Sequence, residues 1–86
     1  MKKVIMYSTQ VCPYCQMAER LLRSRGVAEI EKILIDQDPA QRDRMITRTG
    51  LKTVPQIFIG DQHIGGYDAL SALDRKGELV RLLEQS

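Results

Sequence analysis

Two cysteines at positions 12 and 15 enclose Pro13 and Tyr14, directly after the apolar run Val4-Ile5-Met6-Tyr7, and this constrains the chain more than any other feature. Thiols three residues apart, where a strand hands over to a helix, are placed to make and break a disulfide. Near a βαβ pattern the spacing reads as a redox pair rather than a structural or metal-binding one. Proline favours the first position of a helix. That makes Cys12 the N-cap and sets its sulfur beside the unpaired N–H groups of Tyr14 and Cys15. Those donors and the positive end of the helix dipole favour a thiolate over a thiol. Cys12 is therefore expected to be the nucleophile, with Cys15, one turn into the helix, resolving it.

The 86 residues allow one domain, spanning 1–86, with about two-thirds of its surface buried. No other cysteine is present, so no disulfide framework staples the fold and an oxidising compartment is not implied. A net charge of +2, dispersed along the chain, does not argue for nucleic acid. Met1-Lys2-Lys3 opens like a secretory leader, but the apolar run that follows ends at Ser8, short of the roughly 7–15 residues of an h-region. No run approaches the roughly 20 apolar residues of a membrane span. The expectation is a cytoplasmic monomer with neither nucleic acid nor membrane as partner.

The pattern of elements is β-α-β-α-β-β-α-α. A buried strand covers Val4 to Tyr7. A helix runs from Pro13 to Arg25, with Met17, Ala18, Leu21 and Leu22 on one face and Gly26 as its stop. Ile30 to Ile35 reads as a second strand. Asp38-Pro39 caps and opens a second helix, with Met45 and Ile46 inward and Gly50 as its end. Gln56 to Ile59 and Gln62 to Ile64 flank the turn Gly60-Asp61 as a hairpin. A helix from Tyr67 to Lys76 buries Leu70 and Leu73, and a last one sets Leu79, Val80, Leu82 and Leu83 against the body. Right-handed crossovers predict a first strand that is central and parallel to both the second and the third, with the fourth antiparallel at the edge. Cys12 then lies at the carboxyl end of a central strand, where open α/β sheets place their sites.

Two further segments carry chemistry. Pro55 pushes Val54 toward an extended conformation, in which its own N–H and C=O can pair with an incoming extended peptide. Gly65-Gly66-Tyr67-Asp68 opens the third helix. Its glycines allow close approach to the backbone, and the first-turn N–H groups suit a carboxylate. Asp68 is either a cap or a partner for a ligand ammonium. The lone histidine, His63, is expected on the surface of an edge strand, and zinc is not expected because four ligands are lacking. Arg42, Arg44 and Arg48, interleaved with Asp43, read as a solvated helix face, and Met17 and Met45 as core.

Cys12-Pro13-Tyr14-Cys15, Thr53-Val54-Pro55-Gln56-Ile57-Phe58-Ile59 and His63-Ile64-Gly65-Gly66-Tyr67-Asp68, in that order and spacing, resemble the glutaredoxin family, in its small bacterial dithiol form. The similarity runs over essentially the whole chain, including Gly26-Val27 and Ala72-Leu73-Asp74. It implies a thioredoxin-like α/β fold with a four-stranded mixed sheet flanked by helices, a cis Val54-Pro55 bond, and glutathione as reducing co-substrate with no metal. By matching position, Cys12 is the glutathionylated nucleophile and Cys15 its resolving partner. Tyr14, Thr53, Val54 and Pro55 border the glutathione groove, and Gly66, Tyr67 and Asp68 hold its γ-glutamyl end. The implied activity is glutathione-dependent reduction of protein–glutathione mixed disulfides and protein disulfides, with ribonucleotide reductase among the candidate substrates. Thr9 stands where many relatives carry a lysine, and Ala69 follows Asp68 where a second acid is common; Lys52 and Arg48 could substitute as carboxylate partners, with Arg48 read first as a solvated charge. The alternatives are a glutathione-ligated iron–sulfur carrier, which Pro13 disfavours by resemblance, and a small redoxin fed by thioredoxin reductase.

Overall fold

Strand β1 covers Val4–Ser8, helix α1 Pro13–Ser24, β2 Ile30–Leu34, α2 Pro39–Thr49, β3 Gln56–Ile59, β4 Gln62–Gly65, α3 Tyr67–Arg75 and α4 Glu78–Glu84. The computed structural model describes residues 1–85. The helix boundaries follow local chemistry. Asp38 accepts the Ala40 N–H at 3.1 Å, Pro39 fills the first turn of α2, and Gly50 ends it in the left-handed conformation at φ 72°. Helix α1 begins on Cys12 and Pro13 and gives way to Gly26 at φ 95°.

The sheet order is β2-β1-β3-β4. Strand β1 is central and parallel to β2, as expected, but it pairs with β3 antiparallel, Tyr7 opposite Gln56 and Val4 opposite Ile59. This corrects the expectation of a parallel third strand. The chain leaves β2 beside Ser8 and enters β3 beside Tyr7, both at the carboxyl end of β1. Helix α2 and the Gly50–Pro55 connection thus return to the end they left. The right-handed crossover rule, which governs parallel connections, does not apply.

Alternation along β1 and β3 sorts side chains to two faces. Val4, Met6, Ile57 and Ile59 meet Ala18 and Leu22 of α1, Leu70 of α3, and Leu79 and Leu83 of α4 in the main core. Tyr7 and Phe58 meet Met45 of α2 and Ile35 in a smaller one. Burying each large aliphatic side chain contributes about 1.5–3 kcal/mol. Two residues expected inward are not. Met17 is 40% exposed and Val80 is also exposed, so the core stripes of α1 and α4 are narrower than their apolar content implies. Arg48 is exposed, as expected, but its guanidinium is also engaged. It donates to the Tyr7 hydroxyl at 3.0 Å and lies 3.9 Å over the Phe58 ring, covering the smaller core. At the sheet edge, Glu31 of β2 pairs with Lys3 at 2.8 Å, and Lys32 with Glu19 of α1 at 3.1 Å.

Leu22→Ala is expected to lower unfolding stability by about 2–5 kcal/mol, and Met17→Ala by less than about 0.5 kcal/mol. Urea denaturation checks this, and equal costs would contradict the placement of α1. Arg25 holds both carboxylate oxygens of Asp74, at 2.6 and 2.9 Å, joining the end of α1 to α3. The hydrogen bond from Arg25 holds the Asp74 carboxyl below its ordinary value. A depressed carboxyl contributes stability above its unfolded pKa and loses it as pH falls through the folded one. The urea midpoint of Asp74→Asn should therefore lie below wild type at neutral pH. The gap should close as the pH drops below about 4.

Candidate active site

Cys12 sits at the N-cap of α1 with extended backbone, φ −149° and ψ 96°. The Cys15 N–H donates to its Sγ at 3.2 Å, and the first helical bond runs from Gln16 N–H to the Cys12 carbonyl at 3.0 Å. A sulfur that accepts a helix N-terminal amide is favoured as an anion. The two cysteines are joined as a disulfide, so the structure holds the oxidised form of the pair. Cys12 is 8% exposed and Cys15 3%, so both are buried and Cys12 is the less so.

The antiparallel turn into β3 brings the other segments to the same end of the sheet. A parallel third strand would have carried Thr53-Val54-Pro55 to the opposite end, on the order of 13 Å away for four residues. The Val54-Pro55 bond is cis, as the family resemblance implied. Among the described residues neither the N–H nor the C=O of Val54 pairs with another backbone group. The start of α3 abuts this loop: a Cβ built on Gly66 would lie 3.5 Å from the Pro55 carbonyl oxygen. Val54 and Tyr67 pack against the apolar cluster that contains Cys12 and Cys15.

All seven non-cysteine residues singled out from sequence line one groove of about 490 Å³: Tyr14, Thr53, Val54, Pro55, Gly66, Tyr67 and Asp68, joined by Leu51, Gln56 and Ala69. Tyr14, 60% exposed, and Tyr67 face each other across it with ring centroids 6.2 Å apart. Among the described residues Asp68 is its only charged lining residue. No side chain caps α3 and Gly66 is its N-cap, so Asp68 is not a helix cap and its carboxylate remains available to a ligand cation. Arg48 is engaged with Tyr7 and Phe58 and does not line the groove. Lys52 is exposed beside Thr53.

The cysteines themselves line a second, more polar depression of about 500 Å³, with Ser8, Gln16, Glu19 and Lys32. Glu19 is bonded by Arg23 at 2.9 Å and by Lys32 at 3.1 Å, and the Arg23 hydrogen bond is the main cause of its lowered carboxyl pKa. Neither cysteine lines the apolar groove, which adjoins the pair through Tyr14 and through Val54 and Tyr67 packed against their cluster. Two site features were not singled out from sequence. Gln56 is a buried amide bonded to Thr53 and His63. Asp36 accepts the Gln10 N–H at 3.1 Å, pinning the loop before Cys12. A polar residue opening the otherwise apolar strand Gln56-Ile57-Phe58-Ile59 is the signal that marks the first; nothing in the sequence marks the second.

A glutaredoxin family model matches residues 4–64. Glutaredoxin 3 of Escherichia coli strain K12 is 50% identical over 84 residues, covering 98% of this chain and all of that one. The solution structure of glutaredoxin from Brucella melitensis superposes with a TM-score of 0.84 at 45% identity, covering 98% of this chain and 90% of that one. The crystal structure of a buckwheat glutaredoxin–glutathione complex superposes at 0.85 with 34% identity, covering 95% and 76%. With the paired thiols at the head of α1 and this fold around them, the chain belongs to the glutaredoxin family of thiol–disulfide oxidoreductases.

Proposed function

We propose that Cys12 is the nucleophile and Cys15 the resolving thiol in glutathione-dependent reduction of glutathionylated proteins and protein disulfides. The observation that carries this is the Cys15 N–H donating to the Cys12 sulfur, beside a groove lined by every residue assigned to glutathione. Glutathione is a tripeptide with two carboxylates and one ammonium. The groove offers an unpaired extended backbone at Val54, the helix N-terminus of α3 and the carboxylate of Asp68. The cysteinyl part would pair with Val54, the γ-glutamyl carboxylate would meet the first-turn N–H groups of α3, and its ammonium would meet Asp68. Lys52 is the cation nearest in sequence for the glycyl carboxylate. The glutathione bound in the buckwheat relative supports this reading.

In the monothiol route the Cys12 thiolate attacks the glutathione sulfur of a mixed disulfide. The protein thiolate leaves and takes a proton from water. A second glutathione thiolate attacks the same glutathione sulfur, releasing glutathione disulfide and restoring the Cys12 thiolate. In the dithiol route Cys12 attacks a protein disulfide and the Cys15 thiolate displaces the half-reduced substrate, forming the internal disulfide. Glutathione opens that bond at Cys12 and a second glutathione completes the cycle. The amide that steadies Cys12 as an attacking anion also makes it a good leaving group in the final step. The cytoplasm, with its glutathione pool, is the compartment this cycle requires.

Turnover of a glutathione mixed disulfide, coupled to glutathione reductase, tests the assignment. Cys12→Ser is expected to abolish it. Cys15→Ser is expected to retain deglutathionylation while losing protein-disulfide reduction, and the reverse pattern would exchange the two roles. In the reduced protein, Cys12 should be alkylated by iodoacetamide at neutral pH faster than a cysteine in an unstructured peptide. An equal rate would remove the helix terminus as the source of activation.

A further inference from the structure

The reaction as described leaves the contacts of Gln56 unused. This polar side chain is 2% exposed at the head of β3. Its Nε2 donates to the Thr53 carbonyl oxygen at 3.0 Å and to the Thr53 hydroxyl at 3.3 Å, and its Oε1 lies 2.7 Å from His63 Nε2. The amide orientation is forced. Turned over, Oε1 would face the Thr53 carbonyl, two acceptors with no proton between them. An amide oxygen only accepts, so His63 carries a proton on Nε2 and donates it. The His63 ring rests on Phe58, with centroids 5.0 Å apart across the β3–β4 pair. A run of contacts therefore leads from β4 through Gln56 to Thr53, the residue before Val54. Although Gln56 borders the groove, both its amide hydrogens and its oxygen are engaged by Thr53 and His63, so it acts on a ligand through the loop.

We propose that Gln56 is a positioning residue for the glutathione edge, its amide oriented by His63 and holding the Thr53–Val54 backbone in line for the peptide that pairs with it. The inference rests on Thr53 and Val54 being glutathione contacts. Val54 offers a single residue's N–H and C=O, and a ligand bound by so few hydrogen bonds depends on their being aimed before it arrives. A buried amide is costly to leave unpaired. The Thr53 and His63 bonds are therefore expected to stand or fall together.

The test compares two mixed disulfides of one cysteinyl peptide, one carrying glutathione and the other cysteamine, by the rate at which peptide thiol is released. In both, a new bond forms between Cys12 and the small thiol's sulfur, the bond from that sulfur to the peptide breaks, and the peptide thiolate takes a proton from water. Cysteamine has no backbone to pair with Val54, so the ratio of the two rates reports the edge rather than the thiolate or the fold. Wild type is expected to favour glutathione. Gln56→Met should lower the ratio about five- to tenfold, the size of one or two net hydrogen bonds, with the cysteamine rate within about twofold. His63→Ala, at an exposed position, should lower it about two- to threefold and add nothing in a Gln56→Met background. It decides the matter should Gln56→Met fail to fold. A wild-type preference that survives in the variants overturns the role of Gln56 alone. A wild type without preference overturns the glutathione groove and this inference with it.

Discussion

The antiparallel pairing of β3 with β1, Gln56 against Tyr7, is the constraint from which the rest of the site follows. It sets the chain entering β3 beside the chain leaving β1, so the cis Val54-Pro55 loop and the cysteine helix share one end of the sheet. The β3–β4 hairpin, turned at Gly60, then returns the chain to that end, where Gly65-Gly66 starts α3. Three segments far apart in sequence converge because the central strand has one neighbour running with it and one against it. Ladder hydrogen bonds and two apolar faces make that convergence rigid. The reactive sulfurs are therefore placed by the core rather than by their own loops.

Features encoded locally were legible before any coordinates. Pro13 after Cys12 and Pro39 after Asp38 each fixed a helix start, and Gly26 and Gly50 fixed ends, because capping needs only neighbours within a turn. The three motifs also predicted the groove, since all the residues singled out in them meet there or on its flank. Strand direction was not legible in the same way. Nothing within Gln56–Ile59 states which way the strand runs, and the crossover rule gives the wrong answer when a helix and loop return to their starting end. Met17 shows a related gap: its helical spacing suits a core position, yet no element of this small fold reaches that part of α1 to cover it.

Pairings between distant polar residues were the least visible. Arg48 sits on an exposed face among alternating charges, and nothing near it in sequence pairs its guanidinium with the Tyr7 hydroxyl and the Phe58 ring. His63 and Gln56 are seven residues apart on facing strands, and only the hairpin register brings the ring to the amide. In both cases a polar side chain closes the flank of the smaller core. That core is thin, with Met45 the only fully buried residue of α2, and polar closure lets the sheet do without a second apolar helix on that face.

The charged border of β2 has a consequence for how the protein behaves at high concentration. An outermost strand offers unpaired backbone groups to any passing strand, and in so small a fold that border is a large fraction of the sheet. Glu31 and Lys32, held outward by Lys3 and Glu19, set desolvation and like-charge penalties against a second copy docking in register. Resistance to aggregation is thereby built into the same short strand that supports β1 and whose Lys32 also lines the depression beside the cysteines.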